Sequence, residues 1–537
     1  MTATKQSGSD ASSVPIRFIL DGEVRTILDV DPNTTVLNYL RETLRRTGTK
    51  EGCAEGDCGA CTVVLGEIDH DRGDRIRFRA INSCIQFVPT LDGKELFTVE
   101  SLRAPDGALH PTQQAMVDCH ASQCGFCTPG FVMSLFAMYK SEPTPSKQRI
   151  NDVLAGNLCR CTGYRPIIEA AETMYEDTSG NGNREGSGGW THSPYSVSET
   201  GETGETHEPS AGEREMIERL RSIQRAGTLA VTGPNLTGGR HAYYAPTDLA
   251  TFAALVESNP GATILAGGTD IGLWVTKHHM DLDTIIYLGD VEELKVLEVT
   301  DTHIEIGAAV TITDAYELIG EHFPDMGEMY RRFASPPIRN AATIGGNVAN
   351  SSPIGDSMPG LIALGASLVL RKGANTRELP LDDFYIAYQK NALETGEFVE
   401  RVRIPLEPSD RRFRTYKITK RFDQDISAVC GAYSFRLEEG RVRDVRICYG
   451  GMAATPKRAS ECEQALEGNE WNESTLAAGM EALDRDYAPI KDMRASVEYR
   501  SMVTRNLLRK LFLETSDWQG ETRVLEHGEH GSLKNAG

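Results

Sequence analysis

The sequence predicts a multidomain α+β protein. Three observations carry that reading. The chain has 537 residues, enough for three or four domains with cores of their own. A strand-rich N-terminal stretch gives way to a helical one. A long acidic stretch poor in apolar residues then divides the chain, and alternating helices and strands follow it.

Residues 15 to 95 read as short strands with one helix. Ile16 to Leu20 alternates, Asp21-Gly22 supplies a hairpin turn, and Thr26 to Val30 returns. Thr34 to Arg46 has helical spacing in Val36, Leu37, Leu40 and Leu44, with Asn33 or Thr34 as cap. Cys61 to Leu65 and Arg75 to Phe78 are strand-like. Residues 96 to 175 read as helical. Thr128-Pro129 opens a helix, because proline costs no hydrogen bond in a first turn. Phe131 to Tyr139 is apolar on most faces and is expected to be buried.

Glu176 to Glu215 contains no Leu, Ile, Phe or Met. Such a segment buries too little apolar surface to offset its ordering entropy, so it is expected to be a flexible acidic linker. Beyond it, Leu249 to Glu257 reads as a helix and Ala262 to Ala266 as a strand. Ala428 to Leu437 and Val442 to Tyr449 read as strands, followed by two helices and a frayed tail.

The composition is ordinary for a globular chain, so nothing sets it apart as fibrous or disordered. The net charge of −21 argues against a nucleic-acid or anionic-membrane partner. No apolar run reaches membrane-spanning length. Met1 to Pro15 lacks the apolar stretch of a signal peptide, so the expected location is cytoplasmic. Disulfides are rare there, and twelve cysteines need another explanation.

Cys53, Cys58, Cys61 and Cys84 have the spacing C-x4-C-x2-C plus a distant fourth cysteine. This is the plant-type arrangement for a 2Fe–2S cluster. The glycines and small residues among them let the backbone wrap the sulfurs closely. Cys124 and Cys127 with Cys159 and Cys161 form a second group of four. On spacing alone zinc competes with a cluster there. Cys119, Cys430, Cys448 and Cys462 read as small buried hydrophobes.

Two glycine loops stand out, Ile264-Leu265-Ala266-Gly267-Gly268-Thr269-Asp270-Ile271 and Thr343-Ile344-Gly345-Gly346-Asn347. Neither is a G-x-G-x-x-G at a strand-to-helix turn, so a Rossmann site is not indicated. Glycine pairs let backbone N–H groups approach a pyrophosphate, but they also serve as tight turns.

The text from Cys53 to Cys61, Gln123 to Gly130, and Cys159 to Pro166 resembles the molybdenum hydroxylases. The two glycine loops, with Asn340 to Asp356, resemble the FAD domain of that family. Lys420 to Ser427 and Gly450 to Ala453 are similar, more narrowly, to the small subunit of bacterial two-subunit xanthine dehydrogenases. The resemblance covers about 15 to 177 and 220 to 515, and the acidic linker is longer than the family connection.

The resemblance implies four folds in order. A ferredoxin-like β-grasp 2Fe–2S domain spans 14–98 and a helical-bundle 2Fe–2S domain spans 99–177. After the linker at 178–217 comes an α+β FAD-binding domain of the vanillyl-alcohol-oxidase/PCMH type at 218–408. An α/β flavoprotein C-terminal domain at 409–516 and a tail at 517–537 complete the chain.

The same resemblance implies two 2Fe–2S clusters and FAD, with a molybdopterin subunit as partner and two copies of each subunit. Electrons released when the partner converts hypoxanthine or xanthine to urate would pass the Cys124 group, then the Cys53 group, then FAD, then NAD+. It makes both glycine loops FAD-binding. It adds Asp356, Phe333, Val399 and Lys417 as flavin contacts, although Phe333 also reads as a core residue. Gln123 resembles a residue that touches the partner's pterin. Lys420 to Asp425 resembles a loop that helps set the electron acceptor, and also reads as a solvated charged turn. No residue of this chain is expected to perform the hydroxylation.

Overall fold

The structure is a computed structural model that describes residues 14–176, 189–193, 209–235, 237–406 and 410–523. Most of the expected linker and the end of the expected tail lie outside the described residues. The chain forms two compact units. One is drawn from Met1–Thr144, Asn157–Leu255 and Gly261–Val291, the other from Pro145–Gly156, Val256–Pro260 and Glu292–Gly537.

In the first unit, the hairpin of Ile16–Leu20 and Glu23–Ile27 turns at Asp21 and Gly22, both with positive φ. Ile16–Leu20 continues into a five-stranded sheet beside Glu95–Phe97, then Thr62–Asp69, then Arg75–Asn82. The helix expected from Thr34 is shorter and differently wound. Thr35 caps Val36–Asn38, and Tyr39–Thr43 continues as a π-helix in which the Leu44 N–H reaches the Tyr39 carbonyl at 3.0 Å. Val36, Leu37, Tyr39 and Leu40 are all buried, and Val36, Tyr39 and Leu40 pack in one core with Ile16, Phe18 and Val63 of the sheet.

The helix Thr128–Tyr139 starts where the sequence predicts and is buried along its length. Pro111–Asp118 and Arg165–Thr173 pack with it as a small helical bundle. A four-stranded sheet, in the order Leu229–Pro234, Arg240–Ala245, Thr284–Tyr287, Thr263–Leu265, completes this unit. Its last three strands run parallel.

Two described pieces overlap the stretch expected as a linker, and both pack on the first unit instead of standing free. Gly189–His192 forms a 3-10 turn whose Trp190 lies 3.9 Å from the Lys140 ammonium. The helix Ala211–Ile223 docks on the first sheet, where Glu213 pairs with Arg75 at 2.8 Å.

The second unit holds a five-stranded sheet and a four-stranded antiparallel sheet. The first has Phe398–Pro405 at its centre, between His303–Gly307 and Ser367–Lys372. The second contains the long pair Val429–Glu438 and Arg441–Gly450. Three helices follow that pair rather than the two expected, Ser460–Leu466, Glu473–Asp486 and Val497–Thr515. The break between the first two comes at Gly468, whose φ of +77° no helix continues through.

Candidate cofactor sites

The first cysteine group is wrapped by a loop that needs unusual backbone. Ala54, Gly56 and Gly59 all have positive φ. A Cβ on Gly52 would stand 2.7 Å from the Cys58 sulfur, so only glycine fits there. The cysteines close in two pairs. Cys61 Sγ and Cys84 Sγ lie 3.2 Å apart, and the Cys58 N–H donates to Cys53 Sγ at 3.3 Å. The Cys58 thiol also bonds Cys53 and holds it down at about 5. Cys84 does the same for Cys61, which lies below the usual thiol range.

The second group pairs likewise. Cys124 bonds Cys161, and Cys127 bonds Cys159. Burial pushes Cys127 up to about 12, reinforced by that bond. Burial also acts upward on Cys159, yet the Thr162 hydroxyl and neighbouring amides hold its thiol below the ordinary value. Cys124 and Cys161 are exposed, as are Gln123, Phe126 and Tyr164 beside them.

Both groups fit a two-iron cluster. Each offers two thiol pairs, and a 2Fe–2S centre takes two protein ligands per iron. Among the described residues, no three His, Cys, Asp or Glu side chains gather tightly enough to hold a single ion.

The two groups are neighbours. Cys127 caps the helix Thr128–Tyr139, whose third residue is Gly130. A Cβ on Gly130 would come within 2.1 Å of the Gly59 carbonyl oxygen, so the helix start lies directly on the first loop. Asn157 donates to that same carbonyl at 3.2 Å, and the Leu158 N–H donates to the Cys58 carbonyl at 3.0 Å. Cys159 follows Leu158 directly.

The first glycine loop leaves the carboxyl end of the parallel strand Thr263–Leu265 and enters the helix Ile271–Thr276. Such strand ends are where open parallel sheets bind ligands. The loop is docked on the Cys84 turn. Gln86 Nε2 donates to the Gly267 carbonyl at 2.6 Å. A Cβ on Gly272 would stand 2.6 Å from the Ile85 carbonyl oxygen. Thr276 donates to the Ala54 carbonyl at 2.8 Å, and the Lys277 ammonium donates to the Cys53 carbonyl.

In the second unit, Thr343 caps the short helix Ile344–Ala349 and accepts from the Gly346 N–H at 2.9 Å. Gly345 presses on Ala308, where a Cβ would meet that residue's Cα at 2.6 Å. Asp356 and Lys417 are both buried, and Lys417 bonds Asp356, the Asp425 carbonyl at 2.8 Å and Ser427 at 3.0 Å. Lys417 is thus an interior ion pair rather than an exposed lysine. Two buried oxygens, Asn347 Oδ1 and Asp356 Oδ1, have no partner among the described residues. Both belong to residues expected to touch FAD, and orphaned acceptors of this kind suit a polar cofactor.

The remaining expected contacts are placed differently. Phe333 is half-buried, packed on the core and edge-on to Tyr330 at 6.3 Å. Val399 lies in the strand Phe398–Pro405 with its side chain in the core. The segment Lys420 to Asp425 closes on itself through Arg421 and Asp425 at 2.7 Å. Arg332 braces it, lying 4.0 Å over the Phe422 ring and donating to the Phe422 carbonyl at 2.9 Å.

Four family models match the chain in order. A 2Fe–2S cluster-binding domain matches 18–88 and a second 2Fe–2S binding domain matches 98–172. The FAD-binding domain of molybdopterin dehydrogenases matches 237–407, and the C-terminal domain of the carbon monoxide dehydrogenase flavoprotein matches 414–515.

The chain belongs to the iron–sulfur and flavin portion of the molybdenum hydroxylases. Among molybdenum hydroxylases similar to it, xanthine dehydrogenase/oxidase of Gallus gallus is 32% identical, over 92% of this chain and 40% of its own. Xanthine dehydrogenase of Emericella nidulans is 33% identical, over 88% of this chain and 36% of its own. Aldehyde oxidase 1 of Bos taurus is 31% identical, over 93% of this chain and 39% of its own. The chain therefore spans about two fifths of the length of these relatives. Zinc is displaced as a reading of the second cysteine group, because the matched domain there is a 2Fe–2S one.

Motif reading missed Leu158, Gln86, Thr276 and Lys277, and it took in Gly130 only as part of the family text, without its contact on Gly59. Two of them, Gly130 and Leu158, act through lacking a side chain or through a backbone group, and these leave no pattern in a sequence. Among the described residues no helix is long and apolar enough to cross a membrane.

Proposed function

We propose that this chain is the electron-transfer subunit of a cytoplasmic xanthine dehydrogenase, working with a molybdopterin subunit in an assembly with two copies of each. The partner would oxidise hypoxanthine and xanthine to urate, and NAD+ would receive the electrons. The supporting observation is a continuous run of contacts. It leads from the exposed Cys124 and Cys161, through Cys159 and Leu158 to Cys58, and from Cys84 through Gln86 to Gly267. Iron–sulfur centres pass single electrons, and a flavin gathers them for release as a pair.

This reading gives the chain's residues the following roles. Cys124, Cys127, Cys159 and Cys161 hold the centre nearer the partner, and exposed Gln123, Phe126 and Tyr164 offer the docking face. Cys53, Cys58, Cys61 and Cys84 hold the second centre. Residues 264–271, Thr343, Asn347, Asp356 and Phe333 contact FAD, and Lys417 fixes Asp356. Arg332 and Phe422 shape the approach of NAD+.

The similarity to bovine aldehyde oxidase 1 favours a second reading, in which the same relay serves an aldehyde-oxidising partner. Isolating the native complex separates the two. Xanthine-driven NAD+ reduction by a molybdenum-containing complex is the expected result. Turnover of aldehydes without xanthine activity would select the second reading. Cys124→Ala should stop substrate-driven NAD+ reduction while NADH-to-dye activity persists. Loss of dye activity in folded protein with full FAD would overturn the order of cofactors.

A further inference from the structure

The loop from Ile264 to Ile271 is held to the first cysteine group by more than packing. Gln86, two residues after Cys84, is nearly buried, and its side-chain amide reaches the Gly267 carbonyl at 2.6 Å. Its own backbone is fixed. The Gln86 carbonyl accepts from the Val36 N–H at 2.7 Å, and Phe87 forms a bridge with Thr35. Gly268 has a φ of +70° and Gly272 leaves no room for a Cβ, so the two segments approach as closely as backbones can.

We propose that Gln86 is a positioning residue of the relay, holding the first flavin loop at a fixed separation from the Cys84 turn. The inference rests on the reading above that FAD receives electrons from the Cys53 group. Single-electron transfer weakens steeply with separation and improves along bonded routes. Cys84, Ile85, Gln86 and Gly267 form such a route, three residues joined covalently and the fourth through one hydrogen bond. The helix after the loop has two further anchors, Thr276 on Ala54 and Lys277 on Cys53. Removing the Gln86 amide therefore loosens the loop at one point without undocking it. A carboxylate in its place would face the Gly267 carbonyl with a like partial charge, whereas a protonated carboxyl would donate as the amide does.

The test uses the full chain carrying its iron–sulfur centres and FAD, as wild type, Gln86→Leu and Gln86→Glu. Iron and FAD content, the electron paramagnetic resonance spectra of both centres, and the rate of electron exchange between centres and flavin after a light pulse are measured. Gln86→Leu should keep full cofactor content and both spectra while exchange slows at least tenfold. Gln86→Glu should exchange at a near-normal rate at low pH and slow as its carboxyl ionises, while the wild type stays flat over the same range. An unchanged rate in Gln86→Leu, or a Gln86→Glu profile as flat as the wild type, would overturn the assignment. Because Gln86→Glu keeps the size and polarity of the side chain, its pH profile serves if Gln86→Leu does not fold. A wild type with no exchange between its centres and flavin would overturn the relay reading instead.

Discussion

The N–H of Leu158 donates to the carbonyl of Cys58 at 3.0 Å, and each residue stands at or next to a cysteine of a different group. This bond and the Gly130–Gly59 contact set the spacing of the two centres. Both are main-chain contacts, so the spacing is a property of the backbone.

Gly130→Ala tests that seam. The added methyl would fall 2.1 Å from the Gly59 oxygen, and helix or loop must shift. Overpacking of this kind costs about 1–3 kcal/mol. Urea denaturation should show that loss, and the magnetic interaction between the two centres should change. An unaltered midpoint and spectrum would mean that the contact is looser than the structure has it.

The Lys417–Asp356 pair is interior, with neither side chain more than 5% exposed. Lys417→Met would leave the Asp356 carboxylate buried without its cation, a loss of about 3–5 kcal/mol. FAD content should fall with it. Adding Asp356→Asn should restore much of the stability, since no charge then stays buried. Equal instability of the single and double variants would show that the pair is not what matters.

His110 predicts a pH dependence. Burial, then the neighbouring His192, holds it down at about 3, against an ordinary 6.5. The unfolded chain takes up a proton as pH falls through 6.5, whereas the folded chain does not until about 3. Stability from this group is complete above 6.5 and declines toward 3, by up to about 1.4 kcal/mol per pH unit. Denaturation from pH 7 to 4 should be steeper in pH for the wild type than for His110→Gln. Parallel curves would count against it.

Phe333→Ala should lower FAD content or shift the flavin spectrum. Its edge-on contact with Tyr330 and its place on the core mean some stability is lost as well. If flavin content and spectrum stay as in the wild type, Phe333 is a core residue only.

Much of this was legible in the sequence. The eight cysteines announce themselves by spacing and context, and the structure brings each group of four together in two pairs. Thr128-Pro129 and Asp21-Gly22 mark their elements because proline and left-handed turns leave strong local signals. The π-turn at Tyr39 was not legible, because apolar spacing marks a helix without fixing how tightly it winds. Nothing in the sequence marks Lys417 as an interior ion pair, because only the packing around Asp356 brings it inside. The docking of Trp190 on Lys140 comes from a Gly- and Ser-rich stretch whose composition points the other way.

The seam between the two cysteine groups has a consequence for how such a protein drifts and how it is dissected. Leu158 could become many other residues and its amide would still point at Cys58. Alanine scanning, which trims side chains and spares amides, would pass over this junction almost silently. The position that would respond is the one where a side chain is added across the junction, Gly130. A saturation screen should find the junction as an intolerant glycine at Gly130, while Leu158, whose amide alone makes the bond, tolerates exchange.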